Sequence, residues 1–275
     1  MVLAWGRPEP SHGTMPREMC YRCFWPKGLC WCPSLEPIET RASFVFLMHP
    51  KEFKQEKAGT GRLTHLCLPN STLHVGMGFD ADEDVQVRLS DPRYHAALLY
   101  PGPSAANLSD LAGPNGQPGT FLESLGSRKL RIVILDGTWS GARKMLRMSP
   151  TLQRLPRVMF RSPGRSRFLI KQQPQDGCLS TLEATHEILC LLEKAGLEAY
   201  ERRDQLLGIL ERMQRYQIAC AADPGRGGYR HRPYTPPALR SRSSGRSGRR
   251  RENFLSCARV APGAGEALPG DLHAV

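Results

Sequence analysis

Leu130-Arg131-Ile132-Val133-Ile134-Leu135-Asp136-Gly137-Thr138-Trp139-Ser140 is the stretch on which the fold turns. Its first six residues form a short, largely β-branched apolar run that reads as a buried strand. The run ends in a carboxylate and a glycine, and a helix is expected to begin between Ser140 and Arg143. In open α/β sheets, ligands collect beyond the carboxyl ends of strands, where helix N-termini offer amides and a positive dipole end. A carboxylate at position 136 is well placed for chemistry. Local sequence also admits a plainer reading, in which Asp136 or Thr138 caps the next helix.

Outward from this run, similar apolar segments read as strands: Phe44 to Met48, Val85 to Leu89, Ala97 to Tyr100 and Phe168 to Ile170. Ser180-Thr181-Leu182-Glu183 has the pattern of a capping box and opens a helix to Ala195, with Leu182, Ile188, Leu189 and Leu192 on one face. Gly196 stops it, and a second helix is expected from Leu197 to Ala219. Strands alternating with such helices predict an α/β fold with a mostly parallel sheet. Composition divides the chain into an N-terminal segment (1–40), a catalytic α/β domain (41–222) and a Gly/Pro/Arg/Ser-rich tail (223–275). The tail is expected to be disordered, because it has little apolar area to offset chain entropy.

Cys20, Cys23, Cys30 and Cys32 lie in C-x2-C-x6-C-x-C spacing, which suits four thiolates around one structural zinc ion. Tyr21, Arg22, Trp25, Lys27 and Trp31 interleave with them. Those side chains either contact RNA or simply cover the metal site. The other five cysteines show no pairing pattern, and Cys190 reads as a small core residue.

The formal charge of +12 points to a polyanionic partner, since Lys and Arg gain free energy by releasing counterions from phosphates. Half of that excess sits in the tail, leaving +6 for a folded surface. Met1 to Met19 lacks an apolar stretch and is broken by Pro8, Pro10 and Pro16, so no secretory leader is expected. No apolar run approaches the roughly 20 residues that span a bilayer. A soluble, cytoplasmic chain with no membrane contact is the expectation, and the sequence implies no protein partner.

The segment at 136–139 resembles the D-x-T-W motif of the DTW-domain family. Other stretches agree with that family in order: the Cys cluster, Met48-His49-Pro50-Lys51-Glu52, Gly59-Thr60-Gly61-Arg62, Leu68-Pro69-Asn70-Ser71, Leu99-Tyr100-Pro101-Gly102 and Leu179-Ser180-Thr181-Leu182-Glu183-Ala184. The likeness runs from about residue 20 to 195 and is nearest to bacterial tRNA-uridine aminocarboxypropyltransferases. It implies a SPOUT-like, knotted α/β core that binds S-adenosylmethionine. It also implies transfer of the 3-amino-3-carboxypropyl group to N3 of a tRNA uridine, in the variable loop, with release of methylthioadenosine.

On that resemblance, Asp136, Thr138 and Trp139 are the catalytic candidates. Asp136 is the base that takes the N3 proton if burial lifts its pKa from about 3.9 towards neutrality. Thr138 is a donor to the uracil or to the cofactor carboxylate. Trp139 either stacks on the base or packs the turn, and packing is the commoner role for an aromatic at such a junction. Tyr100, Pro101, Gly102, Leu135, Gly137, Leu179, Ser180 and Thr181 are expected around the cofactor, with helix-start amides receiving its carboxylate. Arg143, Lys144 and Arg147 on one helix, and Arg157, Arg161, Arg165, Arg167 and Lys171 beyond it, are the candidates for RNA phosphates. At Lys171 the family usually carries Arg, so this chain offers phosphate a point charge there rather than a bidentate fork. His49 is an alternative participant at the site. Competing readings are a knotted RNA methyltransferase using the same cofactor, a non-catalytic zinc-containing RNA-binding module, and a ribosomal RNA substrate.

Overall fold

Six parallel strands form a single sheet with the Leu130 run at its heart. The computed structural model describes residues 18–55, 59–111, 120–170 and 177–222. In chain order the strands and helices are β1 (Ser43–Met48), α1 (Pro50–Gln55), α2 (Thr60–Cys67), β2 (Ser71–Val75), α3 (Glu83–Ser90), β3 (Tyr94–Leu99) and β4 (Ala106–Asn107). They continue with α4 (Thr120–Leu125), β5 (Lys129–Asp136), α5 (Trp139–Arg147), α6 (Pro150–Arg154), β6 (Arg157–Met159), α7 (Thr181–Lys194) and α8 (Arg203–Ala222). The strand order is β2-β1-β5-β3-β6-β4. β5 thus enters between β1 and β3, and β6 between β3 and β4, after those neighbours have been laid down in sequence.

Both faces of the sheet are covered, which explains why its central strands are apolar throughout rather than alternating. On one face Phe44, Phe46, Ile132 and Ile134 pack with Leu63 of α2, Leu182, Ile188 and Leu189 of α7, and Ile209 and Met213 of α8. On the other, Val45, Leu47, Leu98 and Val133 meet Val85 of α3, Met145 and Leu146 of α5, and Leu152 of α6. The predicted α7 face, with Leu182, Ile188, Leu189 and Leu192, is fully buried. Ser180 and Glu183 form the reciprocal capping box, and Gly196 closes the helix with φ +73°. No helix among the described residues is long and apolar enough to cross a membrane.

Two expected strands take other forms. Val85 to Leu89 lies in α3, whose Asp82 cap accepts from the Val85 amide at 3.0 Å. Only Val85 there is buried, while Val87 is 69% exposed, so helical periodicity and capping outweigh the β-branched composition. Phe168 to Ile170 pairs with no strand among the described residues. Its backbone is met by side chains instead, with Ser166 Oγ accepting from Phe168 N and Gln214 from Leu169 N. The second helix begins at Arg203 rather than Leu197, because Tyr200 folds into the core and its amide donates to Glu193 Oε1 at 3.1 Å. The tail lies outside the described residues.

Candidate active site

Met48 and Asp136 are register partners at the carboxyl ends of β1 and β5, so His49 and Gly137 emerge side by side. The His49 amide donates to the Asp136 carbonyl at 2.8 Å. A Cβ at Gly137 would lie 3.2 Å from the His49 Cβ, and one at Gly141 would lie 3.1 Å from its Cδ2. The glycine of D-G-T-W therefore permits close approach of His49 to the start of α5. Asp136 itself is 7% exposed. Thr181 Oγ1 donates to its Oδ1 at 2.5 Å, and a Cβ at Gly61 would come within 2.5 Å of its carboxyl carbon. Thr181 and Gly61 belong to the first turns of α7 and α2. Two helix N-termini thus converge on this carboxylate.

Thr138 is the N-cap of α5: its hydroxyl accepts from Gly141 N at 3.2 Å and lies 3.1 Å from Ser140 Oγ. Trp139 is half-buried, with its ring 6.5 Å from that of Tyr100 at 63°. Tyr100 is buried, which pushes its phenol up against the opposing pull of Arg143 and Arg157. The Arg157 guanidinium stands 5.5 Å from the Tyr100 ring, and a Cβ at Gly102 would sit 3.3 Å from Arg157 Nη1. Tyr100, Pro101 and Gly102 follow β3 at the same carboxyl end of the sheet as Asp136. Leu135 is half-buried against the α3 and α5 side of the sheet, and Leu179 is half-buried just before the α7 cap. The Ser180 amide donates to Glu183 Oε2 at 2.9 Å and the Glu183 amide to Ser180 Oγ at 3.3 Å. Capping thus occupies those two amides and leaves Thr181 and Leu182 as the donors of that turn.

Among the basic residues, Arg143, Lys144 and Arg147 lie exposed along α5. Arg161 is also exposed, yet it forms a two-pronged ion pair with Asp110 (Nη1 to Oδ2, 3.1 Å). Arg165 and Arg167 are exposed on a loop pinned by Glu183, which accepts from Ser166 Oγ at 2.7 Å and from the Arg167 amide at 2.5 Å. Lys171 lies outside the described residues. The approach of Gly61 to Asp136 and the pinning of Ser166 and Arg167 by Glu183 have no local mark in sequence, since each acts on a segment distant along the chain.

The four cysteines come together at the N-terminus, with all their sulfurs within 4.8 Å of one another. Cys20 and Cys32 sulfurs are 3.9 Å apart, and those of Cys23 and Cys30 are 3.6 Å apart. Thiolates about 2.3 Å from a tetrahedral ion lie about 3.8 Å apart, so the set fits a metal of zinc's size. Backbone amides of Cys23 and Arg22 bring the Cys20 thiol down to about 6, whereas burial pushes Cys30 and Cys32 up. Trp25 is 1% exposed and packs edge-on against Trp31 and Tyr216. Those two tryptophans cover the site, while Tyr21, Arg22 and Lys27 face solvent.

The DTW domain matches residues 17–218 of this chain. The tRNA-uridine aminocarboxypropyltransferase 2 of Drosophila melanogaster is 31% identical over 212 residues, covering 74% of this chain and 76% of that protein. The mouse (Mus musculus) protein of the same name is 31% identical over 195 residues, which span 69% of this chain but only 61% of its own length. The tRNA-uridine aminocarboxypropyltransferase A of Arabidopsis thaliana is 25% identical over 228 residues, or 73% of this chain and 81% of that protein. No solved structure matches the chain. With the D-x-T-W carboxylate at the carboxyl end of a central strand of a parallel sheet and the domain matched from residue 17 to 218, this chain belongs to the DTW-domain family.

Proposed function

We propose that this chain transfers the 3-amino-3-carboxypropyl group of S-adenosylmethionine to N3 of a uridine in tRNA and releases methylthioadenosine. The observation that carries the reading is the buried Asp136 carboxylate, bonded by Thr181 and approached closely by Gly61 at the carboxyl end of the sheet, in a chain whose relatives bear that enzyme name. Each carbon on the sulfonium is electrophilic, so the outcome depends on which one is held in line with the nucleophile. In this reading the N3 proton passes to the Asp136 carboxylate, the N3–C bond forms, and the C–S bond breaks towards methylthioadenosine.

The loops at Tyr100-Pro101-Gly102 and Leu179-Ser180-Thr181, with Leu135 and Gly137, are read as the cofactor's surroundings. The Thr181 and Leu182 amides suit its carboxylate. Thr138 and Trp139 stand at the base of α5 as contacts for the uracil, and Arg143, Lys144, Arg165 and Arg167 as contacts for phosphates. Arg161 joins them at the cost of its Asp110 pair, which is cheap at an exposed site. Cys20, Cys23, Cys30 and Cys32 are read as holding zinc, which supplies a cross-link to the N-terminal segment. The fold is read as SPOUT-like and knotted, supported by the late insertion of β5 and β6 between earlier strands. The compartment is read as the cytoplasm, where the eight described cysteines would stay as thiols or thiolates.

The decisive experiment incubates the protein with unmodified tRNA and S-adenosylmethionine carrying label in the aminocarboxypropyl group. Label in uridine together with methylthioadenosine supports the proposal, whereas S-adenosylhomocysteine as the only product overturns it. Asp136→Asn, which keeps the shape of the side chain, is expected to lower kcat by about a hundredfold or more.

A further inference from the structure

We propose that the cavity between the four-cysteine knuckle and helices α1 and α2 is a second RNA subsite, which takes one unstacked nucleotide of the strand carrying the target uridine. It rests on the reading of the chain as an RNA-modifying transferase and adds where a neighbouring nucleotide is held. The cavity measures about 470 Å³, and its lining includes Arg22 and Phe24 of the knuckle, Phe53 of α1, Arg62 and His65 of α2, and Leu73 of β2. That volume falls in the ordinary range for a small-molecule pocket.

The lining has the chemistry of a nucleotide site. The Arg62 guanidinium is buried and stands 4.4 Å from the centroid of Phe24 and 4.8 Å from that of Phe53. Its Nη2 donates to the Phe53 carbonyl at 2.9 Å, which holds the guanidinium beside the two rings. Flat bases bind proteins by stacking on such aromatic and guanidinium surfaces. Arg22, exposed at the rim, is placed to meet a phosphate, and Tyr21 beside it is 88% exposed. The exposed Arg22 supplies a positive charge for a polyanion.

Phe24 is directed there at a conformational cost. It is the one non-glycine with positive φ among the described residues, at +59°, a region that bulky side chains seldom enter. Its amide donates to the Cys20 carbonyl at 2.7 Å, and the Cys20 amide to the Trp25 carbonyl at 2.7 Å. This turn sends Trp25 into the core and Phe24 outwards onto Arg62. The subsite also adjoins the reaction centre: Gly61, the residue before Arg62, lies against the Asp136 carboxylate. A strand with its uridine at Asp136 would pass the cavity with a neighbouring nucleotide.

The test uses the full-length, metal-loaded chain and unmodified tRNA at fixed salt, with Phe24→Leu, Phe24→Trp and Arg22→Gln. Binding is followed by fluorescence titration, and S-adenosylmethionine affinity and metal content are measured alongside. Phe24→Leu and Arg22→Gln are each expected to weaken tRNA binding by about tenfold, with cofactor affinity and metal content unchanged, and Phe24→Trp to restore it. Unchanged tRNA affinity in both Phe24→Leu and Arg22→Gln overturns the subsite and leaves the cavity to packing or to a protein partner. If Phe24→Leu loses its metal, the exposed Arg22→Gln decides alone. Because binding is read apart from catalysis, a wild-type protein that binds tRNA through this cavity but transfers no aminocarboxypropyl group sinks the reaction and not the subsite.

Discussion

Thr181 was expected to help hold the cofactor, and its side chain proves to hold Asp136, at 2.5 Å. Thr138, open between a catalytic donor and a cap, makes the cap in this structure. Replacing Thr181 by Val keeps the shape and takes one hydrogen-bond donor from a buried carboxylate. Such a loss costs about 1–3 kcal/mol, so kcat/KM for tRNA is expected to fall roughly tenfold, while Thr181→Ser retains most of the activity. Equal activity in the Val variant would remove Thr181 from the positioning of Asp136. The carboxylate was legible because it ends an apolar run and heads the motif. Its two supports were not, because Gly61 and Thr181 lie far from position 136 along the chain and are ordinary helix-start residues in their own segments.

At the level of elements, local chemistry decided most of what was legible. The Ser180 to Glu183 box placed α7 correctly, and the Leu130 run placed β5. The failures occurred where local preference was divided. Val85 to Leu89 has β-branched composition, but an Asp cap and an acidic first turn make it a helix with one buried face. Glu198 shows how a loop can anchor a strand: buried at 5% exposure, it accepts from the Arg41 amide at 2.8 Å and from the Ala42 amide at 2.9 Å, just before β1. Hydrogen bonds to a charged acceptor contribute about 1.5–3 kcal/mol each. Glu198→Ala is expected to destabilise the fold by at least about 2 kcal/mol, and Glu198→Gln by less, since one carbonyl acceptor remains. Urea unfolding of the two variants checks the order. A Gln variant as unstable as the Ala variant would show that charge, rather than acceptor geometry, anchors β1.

For the whole molecule, the knuckle and the core share one apolar cluster, in which Trp25 packs with Tyr216 of α8. Removing the proposed zinc with a chelator is therefore expected to lower Tm and shift tryptophan emission to the red, with helical content largely kept. No change in emission would mean that the cysteines need no metal to hold Trp25 in place. Stability should also depend on pH. Burial holds His65, His95 and His186 below the ordinary imidazole range. Below about pH 6.5 the unfolded chain takes up protons that the native state refuses. Native stability is thus complete above that value and is lost as pH falls towards the folded pKa values. Tm is expected to drop between pH 7 and pH 5, and a flat profile across that window would contradict the burial of these rings.

By itself the sequence determined the α/β class, the parallel sheet, the capped helices, the four-cysteine set and the motif carboxylate. The helices, the cysteine set and the carboxylate are each written within a dozen or so neighbouring residues, where periodicity, capping and ligand spacing act, and the class follows from how such segments alternate along the chain. Only the tertiary structure decided that β5 lies between β1 and β3, that Asp136 meets Gly61 and Thr181, and that Phe24 turns onto Arg62. Those meetings depend on how two sheet faces are covered at once. No local preference encodes that, because the partners are brought together by packing rather than by proximity along the chain.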